Sequence, residues 1–386
     1  MNERRSLAYF AGAATLAIAL SGCATAAGST TASSDGDASG QSLTVFISGD
    51  TNVQDLWEKG LIPAFEEANP GVTVDTTIDL HGEHNQQTLA KLTTSVNAGD
   101  DPGYDLIDAG FISSAGKAGL LEEATTDTVP NLANVPEVTL EAGDGFGIPY
   151  RASSVLLAYD TTTIDAPPET LTDLLQWIKD NPGEFAYNSP STGGSGGAFV
   201  ATVLDQYVSE SDREKMTVGY EPELETEWDE GFAELASLNQ SVFQQGVYPN
   251  GNNQVLELLG TGEISMAPVW SDQIITAQST GTVPDTIGYA QISDPSFTGN
   301  ASYIGVPKTS DHADLALELA DFALSSEGQA IIAEAISGYP VVALDTLPAE
   351  VAAKFEDADP SALRPSYYSE MGADMNNLWD QKVPGQ

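Results

Sequence analysis

An α/β fold with largely parallel sheets is predicted by three features of the 386-residue chain. Strand-like and helix-like runs alternate along most of its length, as when helices cover the faces of a sheet. Asn-Pro-Gly stops follow two of the helical runs, at 69–71 and 181–183. About 345 residues follow Ser42, enough for two lobes with separate cores.

The first apolar run, 43–47 (LTVFI), reads as a short strand. Residues 53–68 put Leu56, Trp57, Leu61 and Phe65 on one helical face. The β-branched alternation of 72–78 gives a second strand, 86–97 a helix with Leu89, Leu92 and Val96 inward, and 104–108 a third strand. A helix over 112–121 follows, with Gly119 near its end. Gly147 to Tyr150 then lead into a buried strand at 153–159. A second unit opens with the amphipathic helix 170–180, carrying Leu171, Leu174, Leu175 and Ile178. Residues 184–187 are strand-like, a glycine-rich turn follows, and a helix starts at about Ala198. Beyond it come helices at 227–239 and 253–259 and strands at 264–269, 286–291 and 302–306. Helices at 313–325, 328–335 and 366–378 complete the pattern. No short internal repeat is visible.

The N-terminal stretch is a targeting segment rather than fold. Arg4 and Arg5 precede an apolar run, 7–20, too short to span a bilayer as a mature helix. Leu20-Ser21-Gly22-Cys23 resembles the lipobox of bacterial lipoproteins, which implies cleavage after residue 22 and lipid on Cys23. Residues 23–41, rich in Ser, Thr, Ala and Gly, read as a flexible tether. The expected location is the outer face of the cell membrane. Cys23 is the only cysteine, so an intrachain disulfide and a Cys-based metal site are excluded. The formal charge of −44 repels nucleic acid and anionic headgroups, so no nucleic-acid partner is expected. The acids are spread along the chain, as on a solvated surface.

Two motifs carry possible chemistry. Gly193-Gly194-Ser195-Gly196-Gly197 fits the G-x-S-x-G pattern of a hydrolase nucleophile elbow. That mechanism needs an acid and then a histidine after the serine. Only His312 follows, beside the candidate helix caps Ser310 and Asp311. The glycines fit better as a loop whose N–H groups approach a ligand at a helix N-terminus, with hydroxyls from Ser191, Thr192 and Ser195. In His81-Gly82-Glu83-His84, the residues His81, Glu83 and His84 could ligate zinc or iron, or form a polar loop before the next helix.

Several segments, in order, resemble the extracellular solute-binding proteins of ABC importers, in the broad group that includes sugar binders and spermidine/putrescine-type binders. They are LTVFISGD, PAFEEANPGVTV, LTTSVNAGDDPGYDLIDAG, AGKAGLLEE, GIPYRASSVLLAYDTTTI, TGEISMAPVWSDQ, GVPKTSDHADLALELADFALSSEGQA and SGYPVV. The resemblance implies a two-lobed periplasmic-binding-protein type II fold, with the ligand cleft between lobes joined by a multi-crossing hinge. It assigns 42–150 plus 292–336 to lobe one and 151–291 plus 337–386 to lobe two. It implies a non-enzymatic monomer without cofactor, whose partners are a small solute and the importer permease.

Ligands of open parallel sheets sit beyond the carboxyl ends of strands. That rule and the resemblance together give an expected ligand set of Asp50, Phe111, Tyr150, Arg151, Thr192, Gly194, Ser195, Trp270, Asp272 and Tyr339. The indole of Trp270 suits a sugar face or an alkyl ammonium. Asp272, two residues on, points to the same side if the stretch is extended, or caps a helix. Arg151 suits a carboxylate, phosphate or hydroxyl, or a salt bridge at the hinge, and counts against a purely cationic ligand. A carbohydrate is the first expectation. A polyamine, metal or anion receptor of the same fold is the alternative, and a secreted serine hydrolase using Ser195 is the alternative from another class.

Overall fold

The computed structural model of the protein describes residues 41–353, 355 and 364–385. The expected signal segment, Cys23 and all of the tether but Gln41 lie outside them. Seven strands are present among the described residues: β1 (Gln41–Gly49), β2 (Val72–Leu80), β3 (Leu106–Asp108), β4 (Ile148–Asp160), β5 (Met266–Trp270), β6 (Ile287–Ala290) and β7 (Gly299–Gly305). Their order is β2-β1-β3-β7-β4-β5, with β6 also on β4.

The sheet is mixed rather than largely parallel. β1 pairs in parallel with β2 and β3, whereas β3–β7, β4–β7, β4–β5 and β4–β6 are antiparallel. The reason is the long strand β4. Its first half, from Ile148 to Ser154, pairs with β7, and its second half, from Val155, pairs with β5 and β6. One strand thus runs out of one hydrophobic core into another.

The first core lies against β1, β3 and the start of β4. Leu43, Val45 and Ile47 of β1 enter it from one face, while Phe46 faces a satellite cluster with Leu92, Ile107 and Leu121. This is the two-residue period of a strand with both faces covered. The helix expected over 53–68 spans 51–68, as α1 (Thr51–Asp55), a π turn (Leu56–Leu61) and α2 (Ile62–Ala68). Leu56, Trp57, Leu61 and Phe65 are all buried there. Helix α3 (Asn85–Ala98) ends at Gly99 in the left-handed conformation, and α4 (Ile112–Lys117) stops before Gly119, short of the expected 121. A helix the sequence reading missed, α5 (Glu137–Ala142), precedes β4.

The second core is built on the rest of β4, with a satellite cluster of Val255, Leu256, Leu259, Ile274 and Ala277 beside Ala158 of β4 and Val269 of β5. Helix α6 (Leu171–Asp180) is N-capped by Thr170, whose hydroxyl accepts from the Asp173 amide at 3.1 Å. Residues 184–187 are extended but do not form a strand; only Phe185 bridges, to Val242 and Met266. Helix α7 (Gly194–Leu204) starts four residues earlier than expected. Helix α8 (Glu210–Val218), also missed, then leads to α9 (Asp229–Ser237), α10 (Asn252–Thr261) and α11 (Ser271–Ser279). Helices α12 (Ala313–Leu324) and α13 (Ser326–Ile336) return to the first core, and α15 (Ser369–Lys382) to the second, with the short α14 (Ala349–Ala352) between them.

Two stretches pack opposite to the lobe boundaries expected from sequence. Val341, Val342, Leu347, Val351 and Phe355 belong to the first core, and Ile292 and Phe297 to the second. In each case a few apolar side chains decide the placement, beyond the crossing backbone.

Aromatic packing dominates the second core. The Phe199 ring lies 5.2 Å from Phe185 and 4.7 Å from Tyr187 between centroids. Phe199→Ala should cost about 3–5 kcal/mol, seen as a lower urea midpoint at unchanged slope.

Candidate functional site

The carboxyl ends of three strands and the middle of β4 meet where the two cores face each other. Asp108, the last residue of β3, is buried and accepts from Trp57 Nε1 at 3.0 Å and Tyr150 Oη at 2.5 Å. Tyr150 Oη in turn accepts from Arg151 Nε at 2.8 Å. Arg151 Nη1 lies 3.5 Å from Asp272 Oδ2, and Asn52 Nδ2 donates to the same oxygen at 3.1 Å. Trp57, Asp108 and Asn52 belong to the first core's elements, Asp272 to α11, which packs in the satellite cluster of the second.

Burial pushes the carboxyls of Asp108 and Asp272 above their ordinary range, against the pull of Arg151. Burial opposes the Arg151 charge, but Tyr150, Asp272 and Asp108 outweigh it and hold the guanidinium above its ordinary value. Arg151 is therefore engaged by the protein's own groups. Asp272 sits in the first turn of α11, not on an extended stretch. It does not share the side of Trp270 in the way sequence alone suggests. Its Oδ1 and the Oδ1 of Asn52 are buried without a partner.

A second polar group lies beside the first. Asp50, at the start of α1, accepts Asn252 Nδ2 at 2.6 Å and contacts His81 Nδ1 at 2.6 Å. Asn252 opens α10, which packs in the satellite cluster of the second core. Its Oδ1 accepts from the Ser195 amide at 3.2 Å and lies 2.7 Å from Ser195 Oγ. Asn188 Oδ1 accepts from the Gly196 amide at 2.9 Å and is also 2.9 Å from Ser195 Oγ. The Ser195 and Gly196 amides are thus taken by two asparagines rather than left for a ligand, whereas Gly194, which opens the helix, is exposed. A Cβ at Gly196 would stand 2.0 Å from the Asn188 carbonyl oxygen, and one at Gly194 2.8 Å from Trp270 Cζ2. The glycines serve close packing.

Of the expected ligand set, Asp50, Tyr150, Arg151, Ser195 and Asp272 fall in these networks. Half-buried Trp270, at the end of β5, rests over Gly194. Thr192 Oγ1 accepts from the Gly251 amide at 2.9 Å and donates to the Ser189 carbonyl at 2.8 Å. Two residues lie elsewhere. Phe111 is buried in the satellite cluster of the first core. Tyr339 pairs with Ala152 and lines an apolar cavity of about 560 Å³ with Tyr303, Val341 and Phe355.

The His81, Glu83, His84 trio is not brought together as a metal site. His81 turns to Asp50, His84 Nδ1 to Asp79 at 2.9 Å, and Glu83 is exposed. Among the described residues no group of three His, Cys, Asp or Glu could hold a metal ion. The sequence reading missed Asn52, Asp108, Asn188 and Asn252. Asp108 alone left a signal, as a carboxylate closing an apolar strand.

These features define a protein with polar side chains converging between two cores that are joined by a shared strand. Residues 60–356 match the family described as bacterial extracellular solute-binding protein, and the chain belongs to that family. No curated relative matches it. Solved structures are similar in fold. One is described as a GABA receptor, Atu4243, at TM-score 0.67 and 19% identity, covering 89% of this chain and 98% of that one. A spermidine/putrescine ABC transporter substrate-binding protein, PotD, from Streptococcus pneumoniae aligns at TM-score 0.62 and 16% identity, covering 89% and 99%. A periplasmic thiamin binding protein aligns at 0.63 and 19%, covering 89% and 96%.

The periplasmic-binding-protein fold follows from these likenesses. The family binds solutes and is not enzymatic. The hydrolase alternative is overturned in geometry as well: the Ser195 hydroxyl faces Asn188 and Asn252, and His312 stands at the start of α12 on the first core.

The hydrogen bond to Asp50 raises the His81 pKa above its ordinary 6.5, outweighing burial. The charged form is favoured in the fold, so this stabilisation is complete below the unfolded value and fades as pH rises through the raised one. The stability difference between wild type and His81→Gln, from urea unfolding, should therefore be larger at about pH 5.5 than at about pH 9.

Proposed function

We propose that the protein captures a small amine-bearing solute between its two cores and hands it to the permease of an ABC importer. It acts as a monomer tethered outside the membrane by lipid on Cys23. The observation that carries the solute class is the pair of buried, unpartnered acceptors, Asp272 Oδ1 and Asn52 Oδ1. Both require a hydrogen-bond donor. Three buried carboxylates, Asp50, Asp108 and Asp272, converge there against the guanidinium of Arg151 and the imidazole of His81, so acid still exceeds base, which supports a cationic donor. Arg151 no longer counts against it, because its charge already faces Tyr150 and Asp272. A carbohydrate could donate through hydroxyls and stack on Trp270 but leaves that charge count unchanged. The named ligands of the similar structures, spermidine/putrescine, GABA and thiamin, support a nitrogenous solute.

Closure would work by population shift. A solute that touches both Asn52 and Asp272 binds the closed arrangement better than an open one. Calorimetric titration of the full chain with putrescine should give a binding isotherm that glucose and maltose do not, and Asp272→Asn should weaken it by about 10- to 100-fold. A sugar isotherm without an amine one overturns the class. Cys23→Ser should move the chain from the membrane fraction to the soluble one, as read by immunoblot.

A further inference from the structure

The contacts between the two cores are of two kinds. Around Asp272, acceptors remain to be filled. Around Asp50, nothing remains: one carboxylate oxygen accepts from Asn252 Nδ2 at 2.6 Å, and the other faces His81 Nδ1 at 2.6 Å. Asn252 is equally complete, since its Oδ1 takes Ser195 on the second core's own helix. The chain His81–Asp50–Asn252–Ser195 therefore crosses from one core to the other through direct side-chain contacts that need no solute between them. It is buried, with Asp50, Asn252 and Ser195 at 9%, 4% and 0% exposure. Gly251, one residue earlier, packs so close that a Cβ there would stand 3.0 Å from His81 Cε1. A charge-assisted hydrogen bond in such surroundings is among the stronger kinds.

From this geometry we infer that Asp50 and Asn252 form a latch that favours closure independently of the solute, with Asn252 as the positioning residue. The latch sets the closed fraction, and with it the apparent affinity for whatever solute binds, because a solute selecting a sparsely populated state loses affinity by that fraction. This consequence rests on the solute-binding reading; the latch itself does not. Sequence gave no hint of it, since Asp50 and Asn252 are 202 positions apart.

The pair can be inverted without losing a partner. In the double variant Asp50→Asn/Asn252→Asp, the amide at 50 would donate to the carboxylate at 252 and still accept from His81. The carboxylate at 252 would still accept from Ser195. Hydrogen–deuterium exchange on the full chain, with no solute added, reads the latch at both ends, around 50–55 and 251–256. Asn252→Ala should speed exchange at both by about tenfold, equal to about 1.4 kcal/mol. Asn252→Asp, which sets two carboxylates face to face, should speed it further, and the inverted pair should return to wild-type protection. If Asn252→Ala loosens only 251–256, or the inverted pair fails to restore 50–55, Asn252 merely supports its own helix and the latch is wrong. Loss of protection across both cores in the inverted pair would signal misfolding. The test then passes to Asp50→Asn alone, where unchanged protection at 251–256 overturns the proposal. Failure of putrescine to bind would touch none of these outcomes.

Discussion

The arrangement of the site depends on one cation that is largely withdrawn from solvent. Arg151 stands on the strand that both cores share, and three groups hold it: the Tyr150 hydroxyl, the Asp272 carboxylate and, through Tyr150, Asp108. A guanidinium cannot shed its proton to escape burial, so its surroundings must supply negative charge and acceptors. Those surroundings come from both cores. Asp108 ends β3 and is also bonded by Trp57, while Asp272 begins α11. The requirements of one side chain thus bring the carboxyl ends of strands from the two cores to one place. Removing Asp272, the carboxylate nearest the guanidinium, would leave that charge compensated only through Tyr150 and Asp108, which costs more than a surface ion pair is worth.

The glycine-rich segment shows a second constraint of the same kind. Helix α7 starts at exposed Gly194, but its next two amides, of Ser195 and Gly196, are buried away from bulk water. Two asparagine side chains, Asn252 and Asn188, accept from them, and Ser195 Oγ completes the polar cluster. The backbone must lie almost against the Asn188 carbonyl and under Trp270 for this to work, which is why Gly196 and Gly194 stand there. A motif that looks like a nucleophile elbow in one dimension is, in three, a way of starting a buried helix. It also supplies the floor on which Trp270 rests.

The parts legible in sequence were those whose cause is local. The alternation in β1 and β2, the apolar stripe of the helical stretch 51–68, and the capped helix α6 all declare themselves within a few residues. Asp50, Trp270 and Asp272 were reachable because the strand-end rule needs only the strands, and Arg151 because the resemblance marks a hinge crossing there. What failed was set by distant partners. The start of α7 was misplaced because Asn252, which satisfies its amides, is 57 residues on. Asp272 was aimed wrongly because the helix begins one residue after Trp270, with no side-chain cap to mark it. Tyr339 and Phe111 were drawn in by position along the chain but pack with apolar neighbours. The mixed sheet followed from β4 crossing between cores and β7 returning antiparallel between it and β3, a property of topology that no window of sequence contains.

That crossing also bears on how the chain comes to be folded. The first core joins β1, at residues 41–49, to Val341, Val342 and Phe355, and β3 finds its outer neighbour in β7, roughly two hundred residues later. Neither core is a continuous piece of chain, so an emerging polypeptide cannot finish the first before most of the second has appeared. Contacts of such long sequence separation make loop closure slow and leave apolar strands uncovered meanwhile. A chain built this way stays loose until its last third arrives, and folding is then concentrated in a late step that completes both cores almost together.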